Sequence, residues 1–485
     1  MRIHVSSFSV SVLVGTLVAI AYFVVVDRYS VDIPNYDDYD TILAGLVERG
    51  RGIAGLFEQH NEHRPAWTRM LVAVTHAIFG EVDFRLLTFA GNAALVPIVL
   101  LLASTYRRAI APTLLLVLPL LVFEPTAWEL VTWATGSTQF LYCLLFVLLA
   151  LRLFARGTAP ARGGSLALAV LASFTSVHGL LVFPVLLAWS VLESRSARNV
   201  PGSFHALAAN GRHAPDAQSV HARMVPGTSS AGSTSAPASC EPTARNDPGT
   251  FHAVGEPGES ANDSRRGGVR SAWVAITIGS ALTFGAYFYG YEKPPGHPSL
   301  LASLTEPWIV LGYTMAFLGS FAAATGVAMS IAAGGVVLAY AMVLAWRRYD
   351  RVRPVAQYYL VFLVLCASAS AVGRAGFGIE QALAPRYRIF SLLALSICGL
   401  AFFERHPQRF RALPSRVLVL AVALAIAVHG FVHGVDRLAA RRALLVDGLD
   451  EWRSRGTGLH YPFPERADAL LRQAIDEGVY ALPPK

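Results

Sequence analysis

The segment FSVSVLVGTLVAIAYFVVVDRYSVDIPNYDDYD, residues 8–40, decides the fold. Its first part, residues 8–26, is a predominantly apolar run, close to the roughly 20 residues that a helix needs to cross a bilayer. No small-residue cleavage site follows this run, so we expect a retained signal anchor and not a removed signal peptide. Three carboxylates, Asp37, Asp38 and Asp40, then begin the next loop. The sequence therefore predicts a membrane protein with a strongly ionisable loop at the exit of its first span.

The composition of the whole chain supports this class. Hydrophobic residues make up 54% of the 485 residues and charged residues only 15%, whereas soluble domains carry about 25% charged residues. The formal net charge is +8. The basic residues lie mainly between apolar segments, where they set the topology of a membrane protein. We therefore expect a lipid bilayer as partner and no nucleic acid.

The apolar runs predict an all-α polytopic helical membrane protein with about 11 transmembrane helices. The segment 165–193 is counted as a hairpin of two spans, bent near His178. The segment 308–346 is counted as one crossing preceded by an interfacial helix. The predicted spans are 8–26, 84–105, 113–123, 139–154, 165–193, 272–291, 308–346, 355–372, 389–403 and 417–433.

The distribution of basic residues between short loops predicts the orientation. With the N-terminus inside, most of these residues fall in cytoplasmic loops, as the positive-inside rule requires. We therefore expect a multi-pass protein of a cytoplasmic (inner) membrane with its C-terminus outside.

Four regions follow from this arrangement. Residues 1–194 form an N-terminal transmembrane group whose first outer loop is 27–83. Residues 195–270 are rich in Ser, Gly, Pro and Ala and are predicted to be a disordered cytoplasmic loop. Residues 271–435 form a C-terminal transmembrane group, and residues 436–485 form an extracytoplasmic tail. Within the first outer loop, 41–57 and 66–79 have the helical spacing of interfacial helices.

The acidic group of the first loop is the first candidate for chemistry. Adjacent carboxylates repel one another, so at least one tends to bind a proton, a cation or a substrate hydroxyl. Asp37 and Asp38 are therefore candidate catalytic bases, and Asp40 is a candidate substrate-binding residue. The alternative is a solvated acidic turn that caps a helix over 41–57.

The segment Gln59-His-Asn-Glu-His-Arg64 is the second candidate. On a helix His60, His63 and Arg64 would share one face, and Glu62 could complete a polar substrate-binding group. A divalent metal is a candidate cofactor, held by ligands chosen from Asp37, Asp38, His60 and His63. The pattern is not HExxH, which argues against a zinc protease. The alternative is a structural hydrogen-bond cluster.

The segment 373–388 is the third candidate. Its glycines let the backbone approach a ligand, and Arg374 and Arg386 can grip phosphate oxygens bidentately. Three further residues of this segment are candidate substrate contacts, namely Glu380, Gln381 and Tyr387. The alternative is an ordinary helix end anchored by arginine. Glu129, near Trp133 and Gln139, is a candidate for a sugar site, although an interfacial aromatic belt explains the tryptophan equally well.

Together these features resemble the GT-C superfamily of membrane glycosyltransferases, the group of protein O-mannosyltransferases and lipid A aminoarabinose transferases. The resemblance rests on the many spans, the acidic pair Asp37-Asp38 and the basic outer loops. Within that superfamily the chain is similar to uncharacterised bacterial polytopic proteins with a QHNEHR loop, here 59–64, and a GRxGxGxEQALxxRY segment, here 373–387.

The resemblance implies a GT-C-like fold and a polyprenyl-phosphate sugar donor, used with inversion on the outer face of the membrane. Asp37 or Asp38 would be the base, and Arg374 or Arg386 would hold the donor phosphate. The acceptor would be a hydroxyl of a glycan, lipid or protein of the cell envelope. Two alternatives remain, a lipid-linked glycan transporter or flippase and a non-catalytic protein of envelope assembly. A transporter would place charges at mid-membrane, and a scaffold would tolerate replacement of Asp37 and Arg374.

Overall fold

The computed structural model describes residues 7–48, 52–198, 259–294 and 305–484, together with Gly296, Pro298 and Ser303. The chain divides into two compact units, one of residues 1–190 and 272–485 and the other of residues 191–271. All sites discussed below lie in the first unit.

Helices dominate the described residues, where the only bridge of β type is an isolated pair between His60 and His63. The longer α-helices are α1 (Ser7–Tyr29), α2 (Ala66–Phe79), α3 (Phe84–Ala93), α4 (Leu95–Tyr106), α5 (Val117–Val122), α6 (Tyr142–Phe154), α7 (Ala159–Ser173), α8 (Val182–Arg198), α9 (Glu259–Phe288), α10 (Pro307–Leu318), α11 (Val327–Trp346), α12 (Pro354–Arg374), α13 (Arg388–Arg405), α14 (Leu413–Arg455) and α15 (Pro464–Asp476).

Short helical turns connect these helices. Those of α type are Ala44–Val47, Gly52–Leu56, Trp128–Val131 and Ala134–Gly136, and those of π type are Tyr39–Leu43 and Ser137–Leu141. Those of 3-10 type are Pro112–Leu116, Pro125–Ala127, Val177–Leu181, Ser320–Thr325, Tyr349–Arg351, Ala375–Phe377, Ile379–Leu383, Pro385–Tyr387 and Pro407–Phe410.

Among the described residues, nine helical segments are long and apolar enough to cross a membrane. They are Phe8–Tyr29, Phe84–Tyr106, Pro112–Val131, Ala134–Phe154, Val177–Arg195, Val327–Trp346, Pro354–Phe377, Pro385–Arg405 and Leu413–Arg455. The expected count of about 11 also included two segments that are shorter here. The first is α7, which has 15 residues, and the second is the apolar part of α9, Ala272–Phe288.

The segment 308–346 divides into a short and a long helix joined by the turn Ser320–Thr325. Helix α10 has 12 residues and is too short to cross a bilayer alone, whereas α11 has 20. The two helices run antiparallel, since Gly319 contacts Ser330 while Met315 contacts Gly334. Glycine is required at both contacts, because an added Cβ atom would collide with a carbonyl oxygen of the facing helix.

The predicted loop 195–270 lies largely outside the described residues. Its two ends are helical, because α8 extends to Arg198 and α9 begins at Glu259.

The first loop and the C-terminal tail pack together into a small core of their own. Buried residues of the loop, such as Tyr39 and Leu43, meet buried residues of the tail, such as Leu471 and Tyr480. Polar contacts join the same segments, for example the hydrogen bond from the hydroxyl of Tyr480 to the carbonyl of Asp32, 2.6 Å. The tail therefore holds the loop that carries the acidic group.

Two local predictions for the first loop are wrong. The range 41–57 is not one interfacial helix, because a π turn, Tyr39–Leu43, and two short α turns divide its described part. Residues 60–63 are not helical either. They form a tight turn in which His60 and His63 exchange backbone hydrogen bonds of 2.8 and 2.9 Å, and Asn61 has a φ of 51°. His60, His63 and Arg64 therefore do not share a helix face, whereas 66–79 is helical as expected.

Candidate functional site

A cavity of about 810 Å³ brings together the first loop and the segment 373–388. Polar and charged residues dominate one part of its wall, and Leu180, Leu181, Phe284 and Phe288 contribute apolar surface. Seven of the predicted site residues line it, namely Asp37, Glu62, His63, Glu129, Arg374, Arg386 and Tyr387. The remaining six do not line it in the part of the chain that the structure describes. They are Asp38, Asp40, His60, Arg64, Glu380 and Gln381.

Asp37 is the carboxylate of the acidic group that faces the cavity. Its Oδ1 lies 3.1 Å from Nε2 of His60 and 3.4 Å from Nδ2 of Asn61, and 30% of its side chain is exposed. The preceding residue, Tyr36, has a φ of 50°. Such a backbone conformation is uncommon for a bulky residue and is often found at functional sites. His60 thus supports Asp37 from outside the cavity.

Asp38 is buried and does not line the cavity, and its carboxylate binds groups of the protein itself. Its side chain is 1% exposed, and Oδ1 accepts hydrogen bonds from the backbone N–H of Thr135, 2.8 Å, and from its hydroxyl, 2.6 Å. The backbone N–H of Asn35 donates to Oδ2 at 3.1 Å. Burial raises the pKa of Asp38 to about 7, although these hydrogen bonds oppose the shift. Asp38 therefore fixes the loop to Thr135.

Asp40 and Arg64 also have structural partners in place of the substrate contacts predicted for them. Asp40 accepts a hydrogen bond from Tyr461 and pairs with Nε of Arg466 at 2.6 Å, which links the loop to the tail. Arg64 donates to the carbonyl oxygens of Tyr287, Phe57 and Tyr289 at 2.6 to 2.7 Å. Since all three donor groups of Arg64 are engaged, it anchors the loop to the end of α9.

Glu62, His63 and Arg374 form one charged group in the cavity wall. Arg374 Nη2 pairs with Glu62 Oε1, and His63 Nε2 lies 3.6 Å from the same oxygen. The backbone N–H of Val177 donates to His63 Nδ1 at 3.2 Å, so the proton of the neutral imidazole is on Nε2.

Electrostatics keep this group in a defined charge state. Burial lowers the pKa of His63 to about 4, so the imidazole is neutral near pH 7. Burial opposes ionisation of Glu62, but its cationic neighbours hold the pKa of this carboxyl well below its usual range. Because His63 is neutral near pH 7, Arg374 is the neighbour that keeps Glu62 ionised.

A second ion pair lies in the same wall. Nη1 of Arg386 is 3.0 Å from Oε2 of Glu129, and the Arg386 guanidinium lies 5.2 Å from the ring centroid of Tyr387. The Tyr387 ring also packs 4.7 Å from that of Phe317. Glu129 and Arg386 are 257 residues apart in sequence, so this ion pair exists only in the folded chain.

Glu380 and Gln381 lie outside the cavity, in the 3-10 turn Ile379–Leu383. Glu380 is exposed, and Gly378, two residues earlier, has a φ of 99°.

The structure adds two wall residues that sequence reasoning passed over. His178, at the predicted bend of segment 165–193, lines the cavity, and its Nε2 lies 3.1 Å from Oγ of Ser370. Arg441 lies far along α14 and is 7% exposed. One feature of the sequence could have pointed to Arg441. It lies 28 positions into a helix of 43 residues that begins as an apolar span.

Several wall residues carry hydrogen-bond donors without acceptors. Within the part of the chain that the structure describes, no partner is found for Nε1 of Trp133, Nε2 of Gln139, and Nε and Nη2 of Arg441. Buried donors of native proteins are nearly always satisfied. An oxygen-rich ligand would supply the missing acceptors.

The described residues do not support the proposed metal ligands as a set. No group of three or more His, Cys, Asp or Glu side chains is placed to hold a metal ion in the described ranges. Asp37 and His60 are close, but Asp38 is committed to Thr135 and His63 to Val177.

The fold and the cavity define the class of this chain, an all-α multi-pass membrane protein with a charged cavity beside its first loop. No family model matches the chain, and comparisons with curated proteins and with solved structures found no match.

Proposed function

We propose that this chain is a membrane glycosyltransferase of GT-C type. It moves a sugar from a polyprenyl-phosphate donor to an acceptor hydroxyl on the outer face of the bacterial cytoplasmic membrane, in the modification of cell-envelope glycans. The observation that carries the proposal is one cavity in which a carboxylate, Asp37, and the guanidinium groups of Arg374, Arg386 and Arg441 share the wall.

The wall suits a donor that is half lipid and half sugar phosphate. Leu180, Leu181, Phe284 and Phe288 offer apolar surface to a polyprenyl chain, and guanidinium groups of the wall offer hydrogen-bond donors to its phosphate. Tyr36 and Trp133, whose ring centroids are 6.3 Å apart, line the polar part. Aromatic faces of this kind pack against sugar rings, so this part is the proposed position of the sugar.

The reaction follows from these positions. The carboxylate of Asp37 takes the proton of the acceptor hydroxyl, and the acceptor oxygen bonds to the anomeric carbon from the face opposite the phosphate. The bond between that carbon and the phosphate oxygen breaks, and its electron pair stays on the phosphate. The products are the glycosylated acceptor, with inverted configuration, and polyprenyl phosphate. His60 and Asn61 orient the carboxylate.

Paired variants of the two neighbouring aspartates test the proposal. Asp37→Asn removes the base, so we expect sugar transfer to fall by about 10²–10⁴-fold while the melting temperature in detergent stays near that of the wild type. Transfer is measured in membranes with radiolabelled polyprenyl-phosphate sugar.

Asp38→Asn is the matched comparison, because it removes the buried carboxylate that binds Thr135. We expect this variant to lose thermal stability, with activity falling only as far as folded protein is lost. Wild-type transfer by Asp37→Asn would contradict the assignment. Binding of lipid-linked glycan without any transfer by the wild-type protein would favour the transporter alternative.

A further inference from the structure

Arg441 has an unusual environment for a cation. Its side chain is 7% exposed, and its guanidinium lies 5.5 Å from the ring centroid of Trp128. Within the described chain, Nε and Nη2 have no hydrogen-bond partner. These two nitrogens lie on one edge of the guanidinium, the edge that can bind two oxygens of a single phosphate or carboxylate.

The other two arginines of the cavity differ from Arg441 in this respect. Arg374 is paired with Glu62, and Arg386 is paired with Glu129 at 3.0 Å. Their charges are compensated by carboxylates of the protein itself. No ion pair of Arg441 is present among the described residues, although a buried charge without a partner is rare.

The charge balance of the wall also favours an anionic ligand. Four of its described residues are Lys or Arg and three are Asp or Glu. With His63 neutral near pH 7, one positive charge remains uncompensated. A phosphodiester between a lipid and a sugar carries one negative charge, which matches this excess.

Neutral donors in the same cavity wall also lack partners in the part of the chain that the structure describes. Nε1 of Trp133 and Nε2 of Gln139 are also without partners among the described residues, and both side chains line the same cavity. Indole and amide N–H groups bind hydroxyl and phosphate oxygens equally well. The cavity that Arg441 lines thus offers several unpaired donors to an anion with several oxygen atoms.

We propose that Arg441 is the anchoring residue of an anion site in this cavity, and that the site takes a phosphate group bonded to a polyprenyl chain. The inference rests on the proposed function for the identity of the lipid and deepens it by naming the residue that holds the phosphate. Arg374 and Arg386 then shape the wall through their carboxylate partners, and Arg441 provides the charge that the ligand neutralises.

Binding to the purified full-length chain in detergent tests this site without requiring turnover. The probe is polyprenyl monophosphate, with polyprenol of the same length and inorganic phosphate as comparison ligands, and the readout is the ligand-dependent rise in melting temperature. We expect a clear rise with polyprenyl monophosphate and none with polyprenol. A rise of equal size and affinity with inorganic phosphate would contradict the lipid part of the proposal.

The variants are Arg441→Gln, Arg441→Lys and Arg437→Gln. Loss of charge-assisted hydrogen bonds should weaken binding at least about tenfold in Arg441→Gln. Arg437 is exposed and lies one turn earlier on α14, so Arg437→Gln should bind as the wild type does. Arg441→Lys keeps the charge without the planar fork and should bind more weakly than wild type. It also keeps the test decisive if Arg441→Gln does not fold, because wild-type affinity in either Arg441 variant would overturn the proposal.

The same preparation separates this inference from the proposed function. Asp37→Asn should still bind polyprenyl monophosphate, at least as tightly as the wild type because the variant removes a negative charge from the wall, and should fail in sugar transfer. If wild-type protein binds the lipid phosphate through Arg441 and transfers no sugar, the glycosyltransferase proposal fails and the anion site stands. If transfer occurs while Arg441→Gln retains the wild-type KM for the donor, the anion site fails and the enzyme stands.

Discussion

Single residues of the same type have different roles here because their neighbours differ. Arg64 donates to three carbonyl oxygens and is a structural anchor, whereas Arg441 has donors without partners in the described chain and lies in the cavity wall. The neighbouring aspartates differ in the same way, since Asp38 is 1% exposed and Asp37 faces the cavity. Residue type alone does not assign a role at this site.

His63 should make the stability of the protein depend on pH. Burial lowers its pKa to about 4, against 6.5 in an unfolded chain. Between these two values the unfolded state binds more protons, so stability is full above about pH 6.5 and is lost as the pH falls toward 4. The contribution is up to about 3 kcal/mol.

His63→Gln should remove this part of the pH dependence, because glutamine does not titrate. The measurement is the melting temperature in detergent at several pH values from 7.5 to about 4, for the variant and the wild type. Curves that fall in parallel as the pH is lowered would show that another group is responsible.

At the level of elements, close approach of backbones determines how the antiparallel pair α10 and α11 packs. Small residues at such contacts let helices in a membrane approach closely. Gly319 and Gly334 each contact a carbonyl of the other helix, and Gly335, the next residue, faces only the side chain of Met315. The apolar pattern of 308–346 predicted helices but did not show which glycines lie at the contact.

Gly334→Ala should destabilise this pair, because the new methyl group would collide with the carbonyl oxygen of Met315. Overpacking of this kind costs about 1–3 kcal/mol, and we expect a lower melting temperature.

Gly335→Ala is the control. Its methyl group would lie 3.4 Å from Sδ of Met315, a flexible side chain, so this variant should melt close to the wild type. Equal losses of melting temperature in the two variants would indicate a general need for glycine in α11 and not a specific contact.

For the whole molecule, the contact between the two ends of the chain has the largest consequence. The first loop carries Asp37, and the C-terminal tail packs on that loop through Leu471, Tyr480 and the pair Asp40–Arg466. The tail therefore stabilises the loop that carries the proposed base, although 426 residues separate Asp40 from Arg466 in sequence.

Leu471→Ala should loosen this contact, since Leu471 is fully buried and such truncations cost about 2–5 kcal/mol. We expect faster proteolysis of the first loop and lower sugar transfer, with normal membrane insertion. Phe463→Ala removes an even larger apolar side chain of the tail, but one that is 64% exposed. It should behave as the wild type, and equal protease sensitivity of both variants would argue against a stabilising role for the tail.

The amino-acid sequence by itself determined the class of the protein and the positions of most long helices. Apolar runs of bilayer length need internally satisfied backbone hydrogen bonds, and an α-helix satisfies them within the run. The sequence also pointed to the first loop and to the segment 373–388, which line the cavity, because both carry charged residues beside predicted spans.

Only the tertiary structure decided which charged residues meet. Glu62 pairs with Arg374, 312 residues away, Asp38 is buried against Thr135, and Arg441 enters the wall from the last long helix. Hydrophobic patterns are local along the chain, whereas the burial and pairing of a side chain depend on elements that only the folded chain brings together.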